Sequence, residues 1–99
     1  MMSFTRTATI LPGKVSEGIG FAQRVANYVR KTNDLEIHVW MPIAGNPHRV
    51  AWRSEHASLA AYEAHHQRLY RDPAYLDLLG SASSLFIPGS VADEMWRSL

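Results

Sequence analysis

The chain contains no cysteine, so disulfides, thiolate metal sites and a cysteine nucleophile are all excluded. No apolar run approaches the roughly 18 residues that a membrane-crossing helix requires. The opening stretch MMSFTRTATILPG also lacks the apolar core of a signal peptide. Charge of one sign is scarce as well: ten Lys and Arg stand against nine Asp and Glu, and no basic run concentrates them. A net charge of +1 supplies no field for gathering nucleic acid. There is no nucleophile elbow, P-loop, dinucleotide fingerprint or pair of carboxylates at a telling spacing. The adjacent His65 and His66 cannot readily share a metal from a regular helix, where ligands are wanted at i,i+4. These absences lead us to expect a cytoplasmic protein with no membrane, nucleic-acid or metal partner.

What remains is a globular composition. The residues AVILMFWYC make up 46% of the 99 positions and DEKR 19%, enough for a core and too apolar for disorder. Residues 1–99 read as a single domain. A domain of this size buries little more than about 60% of its unfolded surface, which makes a partner subunit the natural addition.

The chain opens with alternation from Phe4 to Leu11, with Phe4, Ala8 and Ile10 on one face and Thr5, Thr7 and Thr9 on the other. Arg6 interrupts the apolar face, and a cation there needs a partner or an anionic ligand, unless it snorkels from the strand end. Pro12-Gly13 ends the strand. Ser16 reads as an N-cap, and Phe21, Ala22, Val25, Tyr28 and Val29 then recur at helical spacing to about Lys31. Gly18 and Gly20 near its start mark either a late start or close packing. A second strand spans 35–41, with Leu35, Ile37, Val39 and Met41 inward and Glu36, His38 and Trp40 outward. A third strand, from about His48 to Arg53, follows too closely for anything but an antiparallel hairpin. Arg53 is placed to pair with Glu36 across it.

Ser58 caps a second long helix with Leu59, Tyr62, His66 and Leu69 on its inner stripe, which leaves His65 exposed. Asp72 caps a short helix opened by Pro73 and closed by Gly80. Residues 84–88 read as a last short strand and 89–99 as a tail whose Trp96 folds back or reaches a partner. The order β-α-β-β-α-β is the ferredoxin-like α+β arrangement, both helices on one face of a four-stranded antiparallel sheet. Its other face is left bare, and His38 and Trp40 on it predict a homodimer made through the open sheet face.

From Trp52 through SLAAYEAHHQRLYRDPAYLDLLG to LFIPGSV, the chain resembles the dimeric α+β barrel superfamily. The resemblance is strongest to NIPSNAP-like proteins and more distant to antibiotic-biosynthesis-monooxygenase domains. Tyr62, Glu63, His65 or His66, Asp72, Pro73 and Tyr75 match the family pattern. The resemblance covers most of the chain as topology and about residues 50 to 90 as motif. It implies a small-molecule pocket between helices and sheet, without selecting a reaction. Proteins of this resemblance include cofactor-independent monooxygenases of quinones, and the first reading of the chain is such a monooxygenase-like enzyme acting on an aromatic or quinone-like metabolite. His66 would be the catalytic base, and Trp52, Tyr62, Tyr75 and Arg6 would bind the substrate. The alternatives are a non-catalytic carrier of haem or an apolar metabolite, and a purely structural dimer whose interior is simply packed.

Overall fold

A computed structural model describes all of residues 1–99 as seven elements. They are β1 (Met2–Thr9), α1 (Val15–Asn33), β2 (Ile37–Trp40), β3 (Arg49–His56), α2 (Leu59–Leu69), α3 (Pro73–Gly80) and β4 (Ala92–Arg97). The strands form one antiparallel sheet in the order β2-β3-β1-β4. This is the expected ferredoxin-like α+β topology. No helix is long and apolar enough to cross a membrane.

Side-chain alternation decides which face is covered. In β3, Val50, Trp52, Ser54 and His56 are buried while Arg49, Arg53 and Glu55 are exposed. In β1, Phe4, Arg6 and Ala8 share the inner face by register with Ser54, Trp52 and Val50. α1 lays Phe21, Ala22, Val25, Ala26 and Val29 on this surface, and Ile10, Val29 and Val50 are fully enclosed. Gly18 allows α1 to come close: a Cβ at that position would sit 2.8 Å from three side-chain atoms of Ile10. At Gly20 the nearest neighbour would be Arg24 at 3.6 Å. Close packing therefore explains the first glycine and not the second. α1 begins one residue before Ser16, after an N-cap Lys14 that makes no side-chain cap bond. Asp34, in the left-handed region at φ 50°, ends it.

The two downstream caps are as expected. Ser58 Oγ accepts from the Ala61 N–H at 3.1 Å, and Asp72 Oδ1 accepts from the Ala74 N–H at 3.0 Å. Asp72 has a second task, because its other oxygen accepts a hydrogen bond from the Tyr28 hydroxyl and ties α3 to α1. Tyr28 and Tyr75 stack alongside at 6.2 Å.

Three expected features are placed differently. Residues 84–88 contribute only an isolated bridge, Phe86 to Ile10. The fourth strand is instead Ala92–Arg97, within the segment expected to be a tail. Exposed along its whole length, it is held to β1 by backbone pairing and by Arg6–Asp93 rather than by an apolar face. The third strand continues past Arg53 to His56, which brings Ser54 and His56 into the interior. Finally, Glu36 lies 3.4 Å from His38, not against Arg53. Arg53 stacks over Trp40 at 5.4 Å and donates to Thr5 Oγ1 at 3.3 Å.

Candidate functional site

Between the sheet and the helices lies a cavity of about 100 Å³. Its sheet side is made by Phe4 and Arg6 of β1 and by Trp52, Ser54 and His56 of β3. α2 contributes Tyr62, His65, His66 and Leu69, and the α2–α3 corner adds Tyr70 and Tyr75. Most of the remaining lining is aliphatic, from α1, from Leu35 just ahead of β2 and Ile37 at its start, and from Leu79 of α3.

The aromatic groups are fixed by packing. Trp52 is buried, its indole N–H donating to the Ala22 carbonyl at 3.1 Å. Its ring meets Phe21 edge-on at 6.5 Å. Tyr62 packs on Phe4 at 5.0 Å and meets the His56 ring nearly perpendicularly at 5.3 Å. Tyr75 is buried, and burial pushes its hydroxyl up to about 12. Burial also raises the Tyr62 phenol, so both line the cavity as neutral hydroxyls at neutral pH.

Three imidazoles belong to the site, at different depths. His56, at the end of β3, is 5% exposed and its Nε2 lies 2.8 Å from Ser54 Oγ. Burial, aided by His65, lowers it from its ordinary value, which makes it a neutral ring at pH 7. His65, half-buried, is 5.8 Å from His56 and is likewise lowered, by burial and then by Arg68. His66 is exposed at the rim, stacked on Tyr70 at 4.5 Å and 5.8 Å from Tyr62. The two adjacent histidines thus exchange the depths that helical spacing suggested. α2 faces inward along Tyr62, His65 and Leu69, and His66 is carried roughly 70° round the helix from that line. Leu59, expected on the stripe, is 49% exposed for the same reason.

Arg6 has a protein partner rather than a free charge. Its Nε and Nη2 donate to the two oxygens of Asp93 at 2.7 and 2.9 Å, and Nη1 reaches the Tyr70 hydroxyl at 3.4 Å. The paired carboxylate raises the guanidinium above its ordinary value, and Arg6 in turn holds Asp93 below the usual carboxylate range. The cation on the cavity wall is therefore matched on the spot, and the site as a whole is close to neutral.

All five expected residues, His66, Trp52, Tyr62, Tyr75 and Arg6, line this one cavity. The residues that sequence reasoning missed are Ser54, His56 and Asp93. Haem does not fit, because even drug-sized ligands occupy about 300 Å³ or more. A benzene ring fills a cavity of about 150 Å³, so a single ring enters only if exposed rim groups such as His66 and Tyr70 move aside.

No family model matches the chain, and no curated protein matches it. Solved structures do. An uncharacterised NIPSNAP domain protein from Burkholderia xenovorans superposes with a TM-score of 0.84 at 17% identity, covering 100% of this chain and 95% of the other. A NIPSNAP family protein from Agrobacterium tumefaciens superposes at 0.80 and 16%, covering 99% and 92%. A candidate antibiotic biosynthesis monooxygenase from Deinococcus radiodurans superposes at 0.74 and 11%, covering 99% and 92%. These are the two groups the motif resembles, and at such identities the likeness is one of fold.

Proposed function

We propose that this chain is a homodimeric small-molecule enzyme acting on a single-ring aromatic, quinols included, with His56 as the base. The observation that carries this reading is a cavity walled by aromatic rings whose interior holds a neutral imidazole and whose only cation is already paired. Such a wall favours a planar, uncharged ligand over an anion. An imidazole kept neutral by burial is able to accept a phenolic proton at pH 7, directly or through the Ser54 hydroxyl beside it.

Once ionised, a quinol reduces dioxygen without a cofactor. One oxygen atom enters the ring to give a hydroxyquinone, the other leaves as water, and the quinol supplies the electrons. The protein's part is to bind the ring, take the proton and exclude water. The monooxygenase candidate among the structural neighbours supports this choice at the level of fold. The dimer is supported by the outer sheet face, where Trp40 is 51% and Trp96 66% exposed, since a second copy covering this face would bury both.

The test is oxygen uptake with hydroquinone as the probe. His56→Ala should abolish protein-dependent uptake while leaving the circular dichroism spectrum unchanged, whereas His66→Ala should mainly raise KM. Full turnover in His56→Ala removes His56 from the mechanism, and loss in His66→Ala alone transfers the role of base to the rim histidine.

A further inference from the structure

His65 has a tautomer that the fold dictates. Arg68 Nη2 lies 2.8 Å from His65 Nδ1. A guanidinium offers only N–H donors and remains charged throughout the accessible pH range. Nδ1 must therefore be the accepting nitrogen, and the single proton of the neutral ring resides on Nε2. Arg68 is itself braced, with Nε donating to Asn33 Oδ1 at the end of α1 at 3.2 Å. It is exposed and takes no part in the cavity wall, whereas His65 lines the cavity. Nδ1 carries the only side-chain hydrogen bond of His65, and Nε2 is not an unsatisfied buried atom, so its N–H is unpaired and solvent-accessible. The titratable and charged groups facing His65 are Arg68 on its own helix and His56 on β3. Burial and then the Arg68 charge disfavour a second proton on its ring.

We propose that Arg68 is a positioning residue that fixes His65 as the hydrogen-bond donor of the cavity, and that this donor receives a carbonyl or phenolic oxygen of the ligand. The inference rests on the small-molecule reading of the cavity and gives it a polarity. His65 donates, His56 accepts, and a pure hydrocarbon leaves the donor unanswered.

Two measurements separate this inference from the reading on which it rests. The first uses ligand-free protein at pH 7, in long-range proton–nitrogen spectra of the imidazoles. Wild type should show His65 as the Nε2–H tautomer. Arg68→Ala should give a mixture of tautomers and a raised His65 titration midpoint. Arg68→Gln, which keeps a neutral donor, should restore the Nε2–H form. An Nδ1–H ring in wild type, or an unchanged ring in Arg68→Ala, overturns the positioning role. The second measurement is an NMR titration with phenol and with toluene. Wild type should prefer phenol, and Arg68→Ala should lose about five- to tenfold of that preference. An undiminished preference overturns the ligand half. Failure of wild type to bind either probe overturns it too, along with the small-molecule reading, while the tautomer result stands or falls by itself.

Discussion

Replacing Asp93 with Asn removes the counter-ion of Arg6 and leaves the shape of β4 intact, so it isolates what that ion pair does. The expected cost lies between two limits. Exposed pairs contribute roughly 0–1 kcal/mol, and removing one partner of a fully buried pair costs about 3–5 kcal/mol. The Arg6 side chain is 27% and the Asp93 side chain 42% exposed, and the fork is made through two good hydrogen bonds. About 1–2 kcal/mol follows, equivalent to roughly 4–16 °C in Tm for a domain of this size. The pH dependence has a definite sign. Asp93 is depressed in the fold, so its contribution is complete above the unfolded carboxylate value of about 3.9. It is lost as pH falls through the lower folded value. Urea titrations at fixed protein concentration should therefore separate wild type from Asp93→Asn at pH 7 and bring the two together near pH 2. Ligand choice should change as well: with Arg6 released, benzoate should gain on the order of tenfold over benzamide. A stability difference below about 0.5 kcal/mol at pH 7, or one that persists undiminished at pH 2, refutes the pairing as described.

The two glycines of α1 should respond in opposite directions to alanine. Gly18→Ala forces Ile10 to move and should cost about 1–2 kcal/mol, overpacking outweighing helix propensity. Gly20→Ala, with room for its methyl, should stabilise by up to about 1 kcal/mol, and thermal melts at one concentration decide both. Trp40→Glu places a charge on the open sheet face and should yield a monomer by analytical ultracentrifugation at micromolar concentration. An unaltered dimer would assign the interface to another surface.

Much of this architecture is legible in the residues because period and punctuation agree. Alternation in β1, the apolar stripe of α1, the Ser58 and Asp72 caps and the Pro73 start each specify an element locally. β4 is illegible for a physical reason: ADEMWR has no apolar face, and what secures it is an ion pair with a residue 87 positions away. The clue lay in Arg6, a cation on an inward face in want of a partner. His56 was within reach, since Val50, Trp52, Ser54 and His56 continue one alternation, but the polar SEH ending reads as the edge of a strand. The order of depth of His65 and His66 is not encoded by spacing. Either residue completes a plausible stripe, and the rotation of α2 is set by Tyr62 and Leu69 meeting the rest of the core.

The position of β4 also gives the site a history within folding. Arg6 is among the first residues of the chain and Asp93 among the last, so the wall of the cavity is finished only by closing a loop that spans nearly the whole sequence. Contacts of such separation carry the largest loop-closure cost and belong late in assembly. Until β4 docks, β1 is an open strand edge carrying an unmatched cation, a species suited to pairing with another chain. The charge neutrality of the cavity wall is thus the last property the fold acquires, and the first to go when its edge frays.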